Sequence, residues 1–246
     1  MQTVPRPLVF IHGSGDNAQI WDTLLPYFQQ QGQHPAYALD LPGHGKRTDT
    51  LTATASVADY AREVAHILSN ERHLSSAIII GHSLGGAIAL TLALEYPQML
   101  SGLVLIGSGA RLRVHPTLLE EAQHQPDRAA ERLTALALAP SSSASMVPRL
   151  LQQKGANDMQ MLYRDLVACN SFDVMEHIPE ITLPTCLLCG EDDQLTPPKY
   201  SRYLQQQLAH ASLQVLPAAG HYVMCEQPEA TYQVLSLWLQ EIEGTA

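Results

Sequence analysis

Six short runs of branched and aliphatic residues, with helical patterns between most of them, are what constrain this chain most. The runs are Leu8–Ile11, Ala36–Leu39, Ala77–Ile80, Leu103–Ile106, Cys186–Cys189 and Leu213–Leu216. Successive residues of a strand point to opposite faces, so a strand that is apolar at successive positions has to be covered on both sides. The covering elements are visible at Val57–Leu68, Leu84–Glu95, Pro198–Leu208 and Glu229–Glu241, where apolar residues recur three and four apart. Strands alternating with helices in this way predict an α/β fold, a mostly parallel sheet with helices on both faces and right-handed crossovers.

The alternation breaks once. Between Arg111 and Glu180 no run has strand character, and helical patterns occur at Thr117–Ala122, Arg128–Leu138, Met146–Leu151 and Asp158–Cys169. They are separated by Pro126, by Pro140 to Ser143 and by Gly155 to Asn157, residues that end helices. A segment of about seventy residues is too long for a plain connection. The expected organisation is a core built from 1–110 and 181–246, with 111–180 as a helical cap, or lid, over the strand ends.

Composition narrows the partners. Charged residues are 15% of the chain, below the roughly 25% usual for soluble proteins, and hydrophobic residues are 46%, which suits a large interior. The net charge of −10 offers no basic face for phosphate backbones, so nucleic acid is not expected as a partner. The longest apolar stretch, Ala87–Leu94, falls short of the roughly twenty residues that a membrane span needs. Met1 to Pro7 has neither the basic start nor the apolar centre of a secretory signal, so a cytoplasmic location is expected. Cys186 and Cys189 have the C-x-x-C spacing of redox and zinc sites, but residues three apart on a strand face opposite ways. They read as small buried hydrophobes, and no metal or cofactor is implied.

The chemistry is concentrated where strands end. Gly81-His82-Ser83-Leu84-Gly85-Gly86 follows the strand Ala77–Ile80 and opens the helix Leu84–Glu95. Its glycines permit a tight strand-to-helix turn that leaves the Ser83 hydroxyl projecting beside a helix N-terminus, where developing negative charge is favoured. A serine hydroxyl needs a base, and the base needs a carboxylate to orient it. Asp193 lies in Gly190-Glu191-Asp192-Asp193 after one strand, and His221 follows Gly220 after the last. Glycines in His12-Gly13-Ser14-Gly15 allow the Ser14 N–H to face the attacked carbonyl, which with the Leu84 N–H makes a two-donor oxyanion hole.

With these motifs in chain order Ser, Asp, His, the sequence resembles the α/β-hydrolase superfamily nearly end to end. It is most similar to the capped branch of small carboxylesterases, lactonases and C–C bond hydrolases. Asp40-Leu41-Pro42-Gly43-His44-Gly45 after the second strand, and Glu226-Gln227-Pro228 after His221, add to the likeness. The resemblance implies a serine hydrolase with Ser83 as nucleophile, His221 as base and Asp193 as its orienting acid, acting on a small, largely apolar ester through an acyl-enzyme. Lactone or C–C bond hydrolysis on the same elbow stays open, and so does a hydrolase-like ligand receptor. Relatives that displace halide or open epoxides carry aspartate where this chain has Ser83. Relatives also carry two further strands before the first run, which implies a trimmed sheet edge here.

Loop histidines His12, His44 and His82 read as hydrogen-bonding residues beside tight turns. Arg111 and Arg113, at the entrance to the cap, read as a solvated hinge or as a bidentate hold on a substrate carboxylate. Met146, Met161, Met175 and Met224, with Met159, read as helix packing or as an adaptable apolar pocket wall. The sequence leaves the oligomeric state open.

Overall fold

The computed structural model describes residues 5–155 and 159–244. Among them, six strands form one all-parallel sheet in the order β2-β1-β3-β4-β5-β6. They are β1 (Leu8–Ile11), β2 (Ala36–Leu39), β3 (Ala77–His82), β4 (Leu100–Ile106), β5 (Thr185–Gly190) and β6 (Ala211–Leu216). The helices follow the chain as α1 (Leu25–Gln31), α2 (Val57–His66), α3 (Leu84–Glu95), α4 (Pro116–His124), α5 (Pro126–Ala137), α6 (Ser143–Gly155), α7 (Met159–Ser171), α8 (Pro198–Gln207), α9 (Val223–Glu226) and α10 (Pro228–Gly244). Ala156, Asn157 and Asp158, where the sequence places a helix break and the start of the next helix, lie outside the described residues.

The four central strands, β1, β3, β4 and β5, divide their side chains between two cores, as their unbroken apolar reading requires, while the edge strands β2 and β6 are only partly covered. Val9, Ile11, Ile79, Leu103, Leu105 and Leu187 join one cluster with α2 and α3. Their neighbours Leu8, Phe10, Ile78, Ile80, Val104 and Leu188 join the other, with Phe28 of α1 and Leu235, Trp238 and Leu239 of α10. Helix α3 is buried from Leu84 to Ala93, so it lies inside the protein and not on its surface. Cys186 belongs to the α10-side core, while Cys189 lies against Ser201 of α8; both are free thiols. Helix α1 escapes the sequence pattern because Phe28 is its one buried residue, packed 5.6 Å from Phe10. No helix among the described residues is long and apolar enough to cross a membrane.

Between β4 and β5, α4 to α7 form a helical insertion with a small core of its own, where Leu118, Leu133, Leu162 and Leu166 meet. Its two ends are pinned together by an antiparallel bridge between Arg111 and Asp173. Apolar residues of the insertion join both main cores, Ala168 and Phe172 on one side and Ala137 and Leu150 on the other, and buried charge fastens it to the loops beyond the strands. Asp165 of α7, wholly enclosed, accepts hydrogen bonds from the Gly15 N–H (2.8 Å), from His44 Nε2 (2.9 Å) and from the Tyr60 hydroxyl. Beside it, Arg164 reaches Tyr60 Oη (2.8 Å), the Pro42 carbonyl (2.7 Å) and Asp49 (2.7 Å). From α6, Lys154 Nζ meets Asp16 at 2.6 Å, also out of water.

Burial by itself would raise the Asp165 carboxyl, but His44 and the hydrogen bonds converging on it hold it below its ordinary value. The His44 imidazole, which burial alone would lower, is raised by the same carboxylate. Breaking a buried pair from one side leaves the other charge unsolvated. Asp165→Ala is therefore expected to cost about 3–5 kcal/mol in urea unfolding, with Asp165→Asn costing less. A loss under about 1 kcal/mol for the alanine variant would show that this network adds no net stability.

Candidate active site

The loops that carry the candidate residues leave the C-terminal ends of the parallel strands, so the sheet itself brings them together. At the end of β3 the chain turns into α3 through Ser83, whose φ of 53° and ψ of −114° few non-glycine residues adopt. That turn is held by the Ser83 N–H donating to the Ile106 carbonyl (3.0 Å) and by Ser108 Oγ donating to the Ser83 carbonyl (2.8 Å). The flanking glycines are required by crowding. A Cβ on Gly81 would sit 2.2 Å from the Gly85 carbonyl oxygen, and one on Gly85 would sit 2.3 Å from that of Ile11. Strand, helix and the loop after β1 meet here with no room for side chains.

The residues Asp193 and His221 are brought together from the ends of β5 and β6. Asp193 Oδ2 takes the His221 Nδ1–H at 2.8 Å and the Thr196 hydroxyl at 2.9 Å, and its Oδ1 takes the N–H groups of Leu195 and Thr196, each at 2.9 Å. Burial pushes this carboxyl up, yet His221 and these hydrogen bonds outweigh it and hold it at about 2. With Nδ1 committed as donor, the imidazole keeps Nε2 as its basic nitrogen. The backbone of His221 is also fixed, its N–H on the Ala137 carbonyl (2.6 Å) and its carbonyl accepting from His82 Nε2 (3.1 Å). Glu226 anchors the same loop to the insertion, taking the N–H groups of Gly220 and Ala139 at 2.9 Å each.

Ser83 and His221 share the wall of a cavity of ≈ 450 Å³ beneath the insertion. Ser14 also lines it, and Leu84 opens α3, so its N–H is among the first-turn donors that a helix leaves unsatisfied. Six leucines make the main apolar part of the remaining wall: Leu112 and Leu118, Leu133 and Leu136 of α5, Leu166 of α7, and Leu195. Polar side chains such as Thr117, Arg113, Arg132 and Gln194 line it as well. None of the four methionines expected as a pocket wall lines this cavity. Met224 is enclosed in the α10-side core, Met146 packs against that core, Met161 lines a separate groove with Asp49 and Arg164, and Met175 lines a recess beside Arg111. The reason is helical phase: α7 turns Leu166 and Cys169 to the cavity, and Met161 lies off that face. The side chain of Met159 lies outside the described residues. Among the described residues, no three His, Cys, Asp or Glu side chains converge as a metal site.

Around the site, several residues that the sequence did not single out hold it in shape. Thr196 saturates the Asp193 carboxylate, and Asp16, paired with Lys154, also accepts from Tyr222 Oη at 3.0 Å. Lys154 Nζ donates to the Ser14 carbonyl at 3.3 Å as well. Only Glu226 carried a signal, through its place in the motif after His221. The loop histidines are hydrogen-bonding residues, as expected. His12 accepts the Leu41 N–H at Nε2 (3.1 Å) and donates from Nδ1 to the Gly13 carbonyl (2.9 Å). Burial and then His44 lower His12 to about 4, and burial and then His221 lower His82 to about 3.

Both rings thus stay neutral in the fold at pH values where the unfolded chain protonates them. Groups with depressed folded pKa values stabilise the protein above the unfolded value, and that contribution fades as pH falls toward the folded one. The window runs from about 6.5 down to about 4 for His12 and to about 3 for His82. Each ring should cost on the order of 2 kcal/mol between about pH 7 and pH 5. Urea unfolding at the two pH values is compared between wild type and His82→Gln, because His44, whose raised value works in the opposite direction, is common to both proteins. The variant should lose on the order of 2 kcal/mol less. An equal loss in the two proteins would contradict neutral burial of His82.

The sequence pattern of the alpha/beta hydrolase family matches residues 8–234. A pimeloyl-[acyl-carrier protein] methyl ester esterase of Yersinia enterocolitica is 29% identical over 253 residues, covering 95% of this chain and 93% of that protein. A solved thermophilic esterase is 32% identical with a TM-score of 0.83, covering 96% of this chain and 90% of that one. Another solved structure, Est816, described as an N-acyl homoserine lactone degrading enzyme, is 25% identical with a TM-score of 0.82, covering 95% and 93%.

Proposed function

The chain belongs to the alpha/beta hydrolase family, and from that premise we propose that it is a serine esterase that cleaves carboxylic esters through an acyl-enzyme. The observation that carries the reading is the saturated Asp193 carboxylate holding His221 Nδ1 while Ser83, on its strained turn, lines the same cavity. Ser83 Oγ attacks the ester carbonyl as His221 Nε2 takes its proton, and the Ser14 and Leu84 N–H groups receive the oxyanion. His221 then protonates the leaving alcohol, and water, deprotonated by the same nitrogen, releases the acid. Asp193 fixes the tautomer and stabilises the imidazolium without itself taking the proton. The insertion α4 to α7 acts as the cap, and its leucines select an apolar acyl group.

Esterases among the relatives support ester bonds as the substrate. Lactone opening is the same acyl transfer with the leaving alcohol tethered, and the likeness to Est816 favours it as a second substrate class. A panel of p-nitrophenyl esters of rising acyl length, with an acyl homoserine lactone, tests both. Ser83→Ala should lower kcat/KM by at least about a thousandfold, with Asp193→Asn comparably impaired. Ester turnover that survives Ser83→Ala would overturn the reading.

A further inference from the structure

The catalytic cavity does not end at its leucine wall. Arg113 and Tyr200 line both that cavity and a second recess of ≈ 250 Å³, whose other walls include Arg111, Lys199 and Tyr203. Three of the chain's 14 lysines and arginines therefore converge on one small opening of a protein whose net charge is −10. One carboxylate answers them: Asp173 lies 3.7 Å from Arg111 and 3.2 Å from Arg113. It neutralises one charge of three, and no carboxylate is among the described residues lining the recess. Arg113 also donates to the Asn170 carbonyl, which fixes its guanidinium in place and leaves further N–H groups over. Lys199 Nζ stands 5.9 Å from the centre of the Tyr200 ring, at the boundary between the two spaces.

We propose that this recess is a subsite for a carboxylate carried on the substrate, so that the enzyme selects esters whose apolar chain ends in a negative charge. The inference rests on the esterase reading and specifies its substrate. The ester lies at Ser83, the chain runs along the leucines, and the far carboxylate meets the planar forks of Arg113 and Arg111 with Lys199 beside them. An ester lacking that charge leaves the excess cations facing only water. Because the two arginines are about half-exposed and Lys199 is exposed, each contributes little singly and the effect is their sum.

The test compares monomethyl suberate with dimethyl suberate, which differ at the far end of the chain in charge and one methyl group. At neutral pH and low salt, wild type should favour the monoester by about tenfold in kcat/KM, mainly through KM, with the ratio shrinking as salt is added. Arg111→Gln with Lys199→Gln should bring the ratio close to one, whereas Arg111→Lys with Lys199→Arg should retain most of it. Both esters are read on one preparation, so a loss of folded protein cancels. A wild-type ratio at or below one, or a ratio unmoved by the double glutamine variant, overturns the subsite. If neither ester is turned over, the esterase reading fails separately. Calorimetric binding of the two esters to Ser83→Ala then decides the subsite: tighter binding of the monoester, abolished by the two glutamines, upholds it, and equal or absent binding overturns it.

Discussion

The site depends on one crowded crossing. At the end of β3 the backbone must reverse into α3 so tightly that Ser83 is held at positive φ, while Gly81 and Gly85 let the turn, the helix and the loop after β1 touch backbone to backbone. Hydrogen bonds from the end of β4, through Ile106 and Ser108, hold that strained turn in place. The candidate site residues are arranged around it. The β1 loop brings Ser14 to the cavity that Ser83 and His221 line, Leu84 opens α3 directly after Ser83, and Asp193 at the end of β5 holds His221 from behind.

The helical insertion does more than cover this crossing. Its buried charges end on the loop after β1: Asp165 on the Gly15 N–H, and Lys154 on the Ser14 carbonyl and Asp16. Glu226 ties the His221 loop to the first residues beyond α5. The segments proposed to stabilise the oxyanion and to hold the base are thus each bonded to the insertion, and stability and catalytic geometry share their supports. Such networks are costly when half-satisfied, which ties the insertion to one placement over the cavity.

The sheet, the insertion and the motif residues were legible because their signals are local. Strand runs, helical periodicity and glycine-marked turns lie within a few residues of one another, and parallel topology then carries Ser83, Asp193 and His221 to one edge. Partners far apart in sequence were not legible. Nothing near Asp165 announces Gly15, His44 and Tyr60, and nothing near Lys154 announces Asp16 and Tyr222, since each partnership exists only once α6 and α7 are docked. The methionines show the same limit from the other side. Composition raises them as a pocket wall, but which face of a helix meets the cavity depends on docking angle, and the apolar side chains facing it are Leu118, Leu133, Leu136 and Leu166. Thr196 lacked a pattern because its role is set by the turn that returns it to the Asp193 carboxylate.

The central claim is that the Ser83 hydroxyl, unlike the other serines of the chain, is activated as a nucleophile by His221. An organophosphorus fluoride traps such a serine covalently, and intact-mass and peptide mass spectrometry locate the adduct. One phosphoryl group per chain is expected, carried on Ser83, with labelling abolished in His221→Ala. Absence of an adduct, or an adduct on Ser14 or Ser108 with Ser83 unmodified, would contradict it.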